Sequence, residues 1–379
     1  MPARSAIRET TRHVLFGLAA GYCQYRGCEK RNLGDPVTGE VFNTGWVAHV
    51  IASEPGGPRG HEKHSKDLRD DITNLMLLCD IHHRLVDKHD PKGHPPERLY
   101  AMKAEHEARI QLACGIPPDA KSHVLMYAAN IGDFKTVLDQ VTTKPALLQR
   151  RRYPAKEDFI IQAKDNHRHD SDPQYWSEER AHLVGKFRER VVPVLANGTD
   201  LHVSVFALAP QPLLVLLGSL LSDRANVDVY QRHREPTPSW TWPEPSAEDE
   251  PLAPSLVARP TTFDKPPALL LALSATVTED RVSAAMPGGY ALWHVSISRP
   301  NTHCIRSPRD LVVWRKFIAG VLDEIKARHG QGTPLHAFPV VPNSAAVCLG
   351  LVRNQKADLP FHLYDQLQDR GFVPALNIE

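Results

Sequence analysis

Residues 74–89, NLMLLCDIHHRLVDKH, place an asparagine, an apolar run, a cysteine and two adjacent histidines in one short segment. Cys79 and His82 stand at the start of a predicted helix, and His83 follows directly. Consecutive residues of a helix point about 100° apart around its axis, so the two imidazoles cannot face the same way. The segment therefore predicts two sites with different tasks.

The first site joins Cys79 and His82 to two cysteines near the start of the sequence. Cys23 and Cys28 form a C-x4-C pair in YCQYRGCEKRN, where Gly27 helps the chain to turn back. Two close pairs of thiolate and imidazole ligands, separated by about fifty residues, are typical of a closed tetrahedral zinc site of the Cys3His type. The alternative interpretation is three reduced core cysteines beside a chance histidine.

The second site lies within a recognisable pattern. AHVIASEPGG and the later DDITNLMLLCDIHHRLVD resemble the HNH endonucleases, the ββα-metal nuclease family. The resemblance implies an α+β N-terminal domain in which His49 polarises the water that attacks phosphorus. It also implies that Asn74 is the central asparagine and that His83 is the final histidine, a ligand of the catalytic ion.

The chemistry of phosphodiester hydrolysis suits these residue types. The reaction needs a base that works near neutral pH and a divalent cation that neutralises developing charge. The amide of Asn74 either holds the His49 loop or supplies a ligand oxygen, and both roles stay open. Magnesium is the expected ion, and a histidine ligand also admits manganese or nickel.

The expected ligand set departs from the family pattern at one position. Many family members have an acidic metal ligand immediately before the first histidine, where this chain has Ala48. His83 therefore carries more of the expected coordination. Weaker candidates for a carboxylate ligand are Asp70, Asp71, Asp80 and Asp87. The remaining local histidines are expected in loops that face solvent or DNA: His61, His64, His89 and His94.

The overall composition limits the classes of function. The 379 residues exceed one ordinary core and predict two or three domains. A formal net charge of +1 leaves no global surplus for a polyanion, so any contact with nucleic acid has to be local. Six cysteines are too few for a disulfide scaffold and indicate a reducing compartment. No leader-like segment and no run of about 20 apolar residues stand out, which predicts a cytoplasmic protein without a membrane segment.

Beyond residue 122 the pattern changes to apolar runs that alternate with helical segments. Predicted strands lie at residues 123–130, 158–163, 201–209, 268–276, 290–298, 335–341 and 345–352. Predicted helices lie at residues 177–196, 211–222, 308–329 and 361–370. This alternation predicts parallel or mixed sheets covered by helices, enough for two α/β units. The proline-rich residues 234–267 between the units predict a covering loop.

Several segments of this region carry a second resemblance. VSVFALAPQPLLVLLGSLLSD, VYQRHRE followed by WTW, LALSATV and LHAFPVVPNSAAVCLGLV resemble a SAVED domain, a pair of fused Rossmann-like units related to CARF sensors. The resemblance implies a sensor in bacterial CBASS antiphage systems that reads a cyclic oligonucleotide from a partner cyclase. The expected domains are residues 1–115 (HNH), 116–124 (linker) and 125–379 (SAVED).

The ligand implied by this resemblance is a cyclic dinucleotide of the cyclic GMP-AMP type, seated between the two units. Aromatic and basic residues in VYQRHREPTPSWTW suit stacking on bases and pairing with phosphates. Alternatively, the tryptophans only pack the proline-rich loop. The candidate contacts are Arg232, His233, Trp240, Trp242, Ser274, Thr276, Phe338, Pro339, Asn343 and Ser344.

Together the two resemblances predict a bacterial, metal-dependent endonuclease that a cyclic dinucleotide activates. It would form a homo-oligomer on activation and degrade double-stranded DNA with little sequence specificity. Two other interpretations compete with this one. The chain is either a restriction-type HNH nuclease with a C-terminal DNA-recognition domain, or a binding protein whose zinc only staples the fold.

Overall fold

The computed structural model describes residues 7–379 except 36, 137, 157, 163–167, 198–200, 223, 236, 247–248, 355–356 and 368–369. The chain divides into two compact units, one ending at Pro117 and the other beginning at Pro118. This division falls inside the segment 116–124. The first strand of the second unit begins at Lys121, before that segment ends.

The N-terminal unit follows the order helix, strand, strand, helix, helix. Its elements are α1 (Glu9–Leu18), β1 (Gly45–His49), β2 (Leu75–Cys79), α2 (Asp80–Arg84) and α3 (Pro96–Cys114). β1 and β2 are antiparallel, with Gly45 opposite Cys79 and His49 opposite Leu75. A single π turn, Leu85–His89, extends α2. Cys79 ends β2, and His82 and His83 follow in α2. These three residues therefore lie at one end of the β1–β2 pair.

The apolar run in residues 75–79 is buried on both faces of β2. Leu75 and Leu77 pack with Leu15 of α1, whereas Met76 and Leu78 pack with side chains of α3 and the π turn. A strand covered on both faces is continuously apolar rather than alternating. The sequence LMLLC is therefore the expected sequence of a strand between two helical layers.

The C-terminal unit contains two sheets and the helices that cover them. Its first half comprises β3 (Lys121–Ala128), α4 (Lys144–Gln149), β4 (Tyr153–Pro154), β5 (Phe159–Gln162), α5 (Pro173–Lys186), α6 (Val192–Asn197), β6 (His202–Leu208), α7 (Gln211–Leu221) and β7 (Asn226–Tyr230). Its second half comprises β8 (Ser255–Ala258), β9 (Pro267–Ala272), α8 (Glu279–Ala285), β10 (Ala291–Ser296), α9 (Pro308–His329), β11 (Leu335–Val340), α10 (Asn343–Val352), β12 (Phe361–Leu367) and β13 (Gly371–Ile378).

The two sheets have the parallel and mixed character that the sequence predicted. In the first sheet, β3 lies between β6 and the short strands β4 and β5, β7 follows β6, and all these pairs are parallel. The second sheet has the order β13-β12-β11-β9-β10-β8, with antiparallel strands at both edges. Parallel neighbours require crossover connections, which the covering helices provide.

Two predicted elements of the second half are wrong. Residues 345–352 belong to the helix α10, not to a strand. Every side chain from Ser344 to Gly350 is buried, so the helix has no polar face to reveal its period. Residues 361–367 form the strand β12, not a helix, and the end of that predicted helix at 368–369 lies outside the described residues.

Helices α7 and α10 pack closely against each other through one glycine each. A Cβ on Gly218 would collide with the carbonyl oxygen of Val347, and a Cβ on Gly350 would collide with that of Val215. Both glycines are the eighth residue of their helix. The close approach therefore repeats in the two halves of the unit.

The proline-rich segment contains one short strand. β8 is an edge strand that pairs with β10 alone, as expected for a region rich in proline. Trp240 and Trp242 are only 1% and 7% exposed, so this part of the segment is docked. Within the described residues, no helix has both the length and the apolar character that spanning a bilayer requires.

Candidate functional site

The four predicted zinc ligands converge in the N-terminal unit. The Sγ atoms of Cys23, Cys28 and Cys79 and a ring nitrogen of His82 lie within 4.8 Å of one another. His82 Nδ1 is 3.2 Å from Cys79 Sγ and 3.6 Å from Cys23 Sγ. Tetrahedral bonds of about 2.3 Å to sulfur and about 2.0 Å to nitrogen separate ligand atoms by roughly 3.5 to 4 Å. The donor set and its spacing therefore fit a zinc ion.

The protonation of these ligands also suits a metal. Burial raises the pKa of the Cys23 thiol to about 12, so a thiolate at this position requires a neighbouring cation. Burial, with a smaller contribution from His94, lowers the pKa of His82. A lowered pKa keeps the imidazole neutral, which is the form that binds a metal.

Tyr25 and His94 hold the His82 ring in place. The Tyr25 ring stacks on the His82 imidazole with ring centres 4.1 Å apart. The Tyr25 hydroxyl lies 3.0 Å from His94 Nε2, while His94 Nδ1 donates to the Asp90 carbonyl at 2.7 Å. His94 is only 2% exposed. The expectation that His94 lies in a loop facing solvent or DNA is therefore wrong, because it is a buried support of the cysteine–histidine cluster.

His49 stands at the last position of β1 with its ring orientation fixed. Its Nε2 lies 2.9 Å from the carbonyl oxygen of Arg69. A carbonyl only accepts, so Nε2 carries a proton, and in the neutral ring the lone pair is on Nδ1. The side chain is half-buried. A neutral imidazole with an oriented, unprotonated nitrogen is a suitable general base.

Asn74 is fully buried and fastens the loop that follows His49. Its Oδ1 accepts from the Ile51 amide at 2.8 Å, and its Nδ2 donates to the carbonyls of Ile51 and Leu68 at 2.9 and 3.1 Å. The Tyr100 hydroxyl also donates to Oδ1 at 3.2 Å. Of the two roles left open by the sequence, this geometry favours holding the loop, since backbone partners occupy the amide.

His83 points away from the cysteine cluster. Its ring stacks on Trp46 of β1 with centres 5.1 Å apart, and its Nε2 lies 3.4 Å from Asp87 Oδ2. His82 and His83 thus have different partners, as helical geometry predicted. Sequence reasoning missed Arg59, which donates to Asp87 Oδ1 at 2.6 Å from a side chain that is 5% exposed.

A separate cavity of about 200 Å³ lies in the C-terminal unit. It opens where β6, β7, β9 and β11 end, which is where ligands bind in open α/β sheets. The residues that line it are Leu208, Gln211, Gln231, Arg232, Arg234, Ser274, Thr302, His303, Val341, Pro342 and Asn343. Arginine, histidine and amide side chains give this wall donors for an anionic ligand.

Both closely packed helices begin at this cavity. Gln211 is the first residue of α7 and Asn343 is the first residue of α10, so the N-terminal ends of both helices lie beside the same space. The side chains also link the two halves, because Gln231 Oε1 accepts from the Ser344 hydroxyl at 2.6 Å. Helix N-termini favour anions through their N–H groups and dipole.

The predicted ligand contacts divide into two groups. Arg232, Ser274 and Asn343 line the cavity, and His233 lines a neighbouring one that shares His303 with it. The structure does not bring the others to the cavity wall. Trp240, Trp242, Phe338 and Pro339 are buried in the core, Ser344 is buried against Gln231, and Thr276 is exposed on the loop after β9.

The tryptophan and phenylalanine candidates pack in the core and do not line the cavity. Trp240 packs edge-on against Phe206, with ring centres 5.2 Å apart, and Arg232 lies over its ring at 5.3 Å. Trp240 thus acts on the cavity only by supporting Arg232. Burial, followed by the charges of His303 and Arg306, lowers the pKa of His233. Gln211 and Gln231 lie in segments that resemble a SAVED domain, but no spacing singles out either of them or His303. Only the meeting of strand ends brings the three side chains together.

Solved structures similar to this chain include receptors described as SAVED/CARF-domain containing. Cap4 of Acinetobacter baumannii with the cyclic trinucleotide 3'3'3'-cAAA has a TM-score of 0.45 and 11% identity, covering 84% of this chain and 66% of that one. The same receptor with 2'3'3'-cAAA has a TM-score of 0.44 and 12% identity, covering 83% and 61%. Cap4 of Moraxella osloensis has a TM-score of 0.40 and 10% identity, covering 75% and 59%.

This chain therefore spans between 59% and 66% of the length of these three receptor chains. No curated protein matches it. A family model matches residues 185–378, from the end of α5 to β13, including every residue that lines the cavity. That model is described as "SMODS-associated and fused to various effectors sensor domain", SAVED, and the chain belongs to this family.

Proposed function

We propose that the chain is a DNA endonuclease that a cyclic oligonucleotide switches on in bacterial antiphage defence. The C-terminal sensor domain would bind the messenger, and the N-terminal unit would then hydrolyse double-stranded DNA. The observation that carries the nuclease part is His49, whose Nε2 donates to a backbone carbonyl so that Nδ1 keeps its lone pair. It stands at the end of a strand in a strand–strand–helix unit.

In this proposal His49 is the general base. Its Nδ1 takes a proton from water as the water oxygen bonds to phosphorus. The bond from phosphorus to the leaving sugar oxygen breaks, and that oxygen takes a proton from solvent. The hydrogen bond from Nε2 to the Arg69 carbonyl strengthens when the ring becomes an imidazolium. Asn74 holds the loop after His49 in place through hydrogen bonds to the backbone of Ile51, and this fixes the position of His49.

A divalent ion supplies charge neutralisation at the leaving oxygen when it is bound. His83 is the proposed histidine ligand, and stacking on Trp46 holds its ring in one orientation. The position before His49 cannot contribute, because the side chain of Ala48 has no ligand atom and packs in an apolar cluster. The carboxylate ligand, if the site has one, has to come from elsewhere in the unit.

The messenger is proposed to occupy the cavity of the C-terminal unit. Cyclic oligonucleotides present phosphates, which suit the Arg232 and Arg234 side chains and the first turns of α7 and α10. The similar Acinetobacter baumannii receptor is described with cyclic trinucleotides, whereas the resemblance to SAVED domains implies a dinucleotide made by a partner cyclase. Both rings carry the phosphates that these groups would bind, and a panel of cyclic di- and trinucleotides distinguishes them.

The direct test is cleavage of plasmid DNA in the presence of magnesium against a panel of cyclic di- and trinucleotides. We expect one compound to trigger degradation without sequence preference. The variant His49→Ala should lower the rate by about 100-fold or more, the usual effect of losing a general base, with zinc content unchanged. Cleavage that needs no nucleotide and occurs at fixed sites would instead support a restriction-type enzyme.

A ligand can favour an assembled state only by binding it more tightly than the free state. We expect the activating compound to increase the mass of the protein, measured by light scattering, as homo-oligomers form. Unchanged mass together with full cleavage would remove oligomerisation from the proposal. An absence of cleavage with every compound, in wild type and His49→Ala alike, would support a binding protein with a zinc-stapled module.

A further inference from the structure

The four acidic residues near the proposed nuclease site differ in what they face. Asp70 pairs with Arg8, Asp71 accepts from the Thr73 amide, and the exposed Asp80 pairs with Arg84 at 3.0 Å. Asp87 alone among these four approaches a proposed catalytic histidine. Its Oδ2 lies 3.4 Å from His83 Nε2, with both side chains about one quarter exposed, at 24% and 22%.

The position of Asp87 depends on the π turn. The Asp90 amide donates to the Leu85 carbonyl at 2.8 Å, a closure over five residues rather than four. Such turns widen a helix locally and are frequent at functional sites. Asp87 and His83 are four residues apart along this extended helix. Their two side chains therefore face the same space with one oxygen and one nitrogen.

Arg59 fixes the carboxylate in that position. Its guanidinium donates to Asp87 Oδ1 at 2.6 Å, to the Val50 carbonyl at 2.7 Å and to the Val86 carbonyl at 2.9 Å. A further N–H reaches the His49 carbonyl at 3.3 Å. One buried side chain thus joins the end of β1, which carries His49, to the turn that carries Asp87.

The backbone at Arg59 is adapted to this task. Its φ is +56°, a left-handed conformation that non-glycine residues rarely adopt. Strain of this kind persists only where the surroundings hold the residue in place. Four donor contacts from a 5% exposed guanidinium provide that restraint.

We propose that Asp87 supplies the carboxylate ligand of the divalent ion together with His83, and that Arg59 is its positioning residue. The inference rests on the proposed nuclease function. Two metal–ligand bonds of about 2.1 Å at a right angle span roughly 3 Å, close to the separation of 3.4 Å between Asp87 Oδ2 and His83 Nε2. Arg59 occupies the other oxygen of Asp87, which limits the carboxylate to one bond to the ion.

This pairing predicts weak binding of the ion in the absence of DNA. One carboxylate whose charge is largely balanced by a guanidinium, plus one neutral imidazole, attracts a divalent cation poorly. Magnesium sites commonly have one or two carboxylates and are completed by substrate phosphates. We therefore expect DNA to increase the affinity of the protein for the ion, which is a property of the ligand set and not of the cleavage rate.

The test is titration of Mn²⁺ into the zinc-loaded full chain, followed by electron paramagnetic resonance, with and without a non-cleavable phosphorothioate duplex. Asp87→Asn should lower Mn²⁺ affinity at least tenfold in both conditions and abolish cleavage. The matched control Asp80→Asn, on the same helix, should change neither. Arg59→Lys keeps the charge but loses the planar guanidinium and its several fixed N–H donors. It should lower cleavage tenfold or more and raise the metal concentration that cleavage needs.

Two further measurements separate the outcomes. Zinc content and thermal melting should match wild type in Asp87→Asn, and bound Mn²⁺ should quench the fluorescence of Trp46, which stacks on His83. Unchanged Mn²⁺ affinity in Asp87→Asn, while wild type cleaves DNA, would overturn this inference alone. A wild-type protein that neither binds Mn²⁺ nor cleaves DNA with any cyclic nucleotide would overturn the proposed function as well.

Discussion

The candidate side chains of the N-terminal unit stand largely in closely spaced pairs along the sequence, whereas those of the C-terminal cavity are brought together by topology. Cys79, His82 and His83 come from one strand end and the helix that follows it. The cavity of the C-terminal unit takes its wall from the ends of four strands, spread from Leu208 to Asn343. Sites of the first kind are visible in a sequence, and sites of the second kind become visible only when the sheet order is known.

The largest expected effect is on the unit that contains the cysteine–histidine cluster. His82→Ala should abolish zinc binding and unfold the N-terminal unit, since structural zinc contributes about 10 kcal/mol or more to the folding of small modules. His83→Ala should keep zinc and fold and lose cleavage. Calorimetry with zinc analysis would check both. A His82→Ala protein that melts like wild type would show that apolar packing alone holds this unit.

The next largest effect is on stability and concerns the close contact of α7 and α10 in the C-terminal unit. Gly350→Ala drives a methyl group into the Val215 carbonyl, so α7 and α10 have to separate, and we expect a loss of about 1–3 kcal/mol. The matched control is Gly320→Ala in α9, where a Cβ meets open space. That control should gain up to about 1 kcal/mol from helix propensity. Denaturant unfolding of both variants measures the contrast.

A smaller effect separates cavity residues from residues that only support them. Arg232→Ala should lower affinity for the activating nucleotide by about 10-fold or more, the loss of one charge-assisted contact, without changing zinc content or cleavage of the unliganded protein. Trp240→Phe should act mainly on stability, because the indole is 1% exposed and packs on Phe206. Calorimetric titration would reverse our assignment if Trp240→Phe weakened binding more than Arg232→Ala.

The smallest expected effect is a pH dependence confined to the C-terminal unit. Burial, then the charge of Asp170, raises the pKa of Asp365 to about 7. The folded state therefore binds more protons than the unfolded state between pH 4 and pH 7, and the free energy of unfolding falls as pH rises through that window. Asp365→Asn should raise the melting temperature by a few degrees at pH 8 and leave it unchanged at pH 4. An equal change at both pH values would exclude titration as the cause.

The difference between the two units also explains what the sequence could predict. Helix 308–329 carries a serine cap, a proline in its first turn and a clear apolar stripe, and its bounds agree with α9. Residues 345–352 carry neither stripe nor polar face because α7 covers the helix at a glycine contact. An apolar run that is buried on every side does not distinguish a helix from a strand.

The candidate sites also divide into residues that a sequence pattern reveals and residues that it does not. Spacing identified Cys23, Cys28, Cys79 and His82, because a tetrahedral ion imposes its geometry on nearby pairs. The sequence did not predict a role for Arg59, because three of its four partners are backbone carbonyls, which no sequence pattern identifies. Phe338 and Pro339 were expected at the ligand and lie in the core, because strand residues of β11 face the helices rather than the strand end.

The two glycines of α7 and α10 have a consequence for the origin of the C-terminal unit. Each occupies the same place in its helix, follows a strand and a proline, and meets a carbonyl of the opposite helix. That reciprocity is the signature of an isologous contact between identical subunits. A single half that dimerised about a twofold axis would place its glycine against its own copy, and joining two such genes would leave the arrangement seen in this chain.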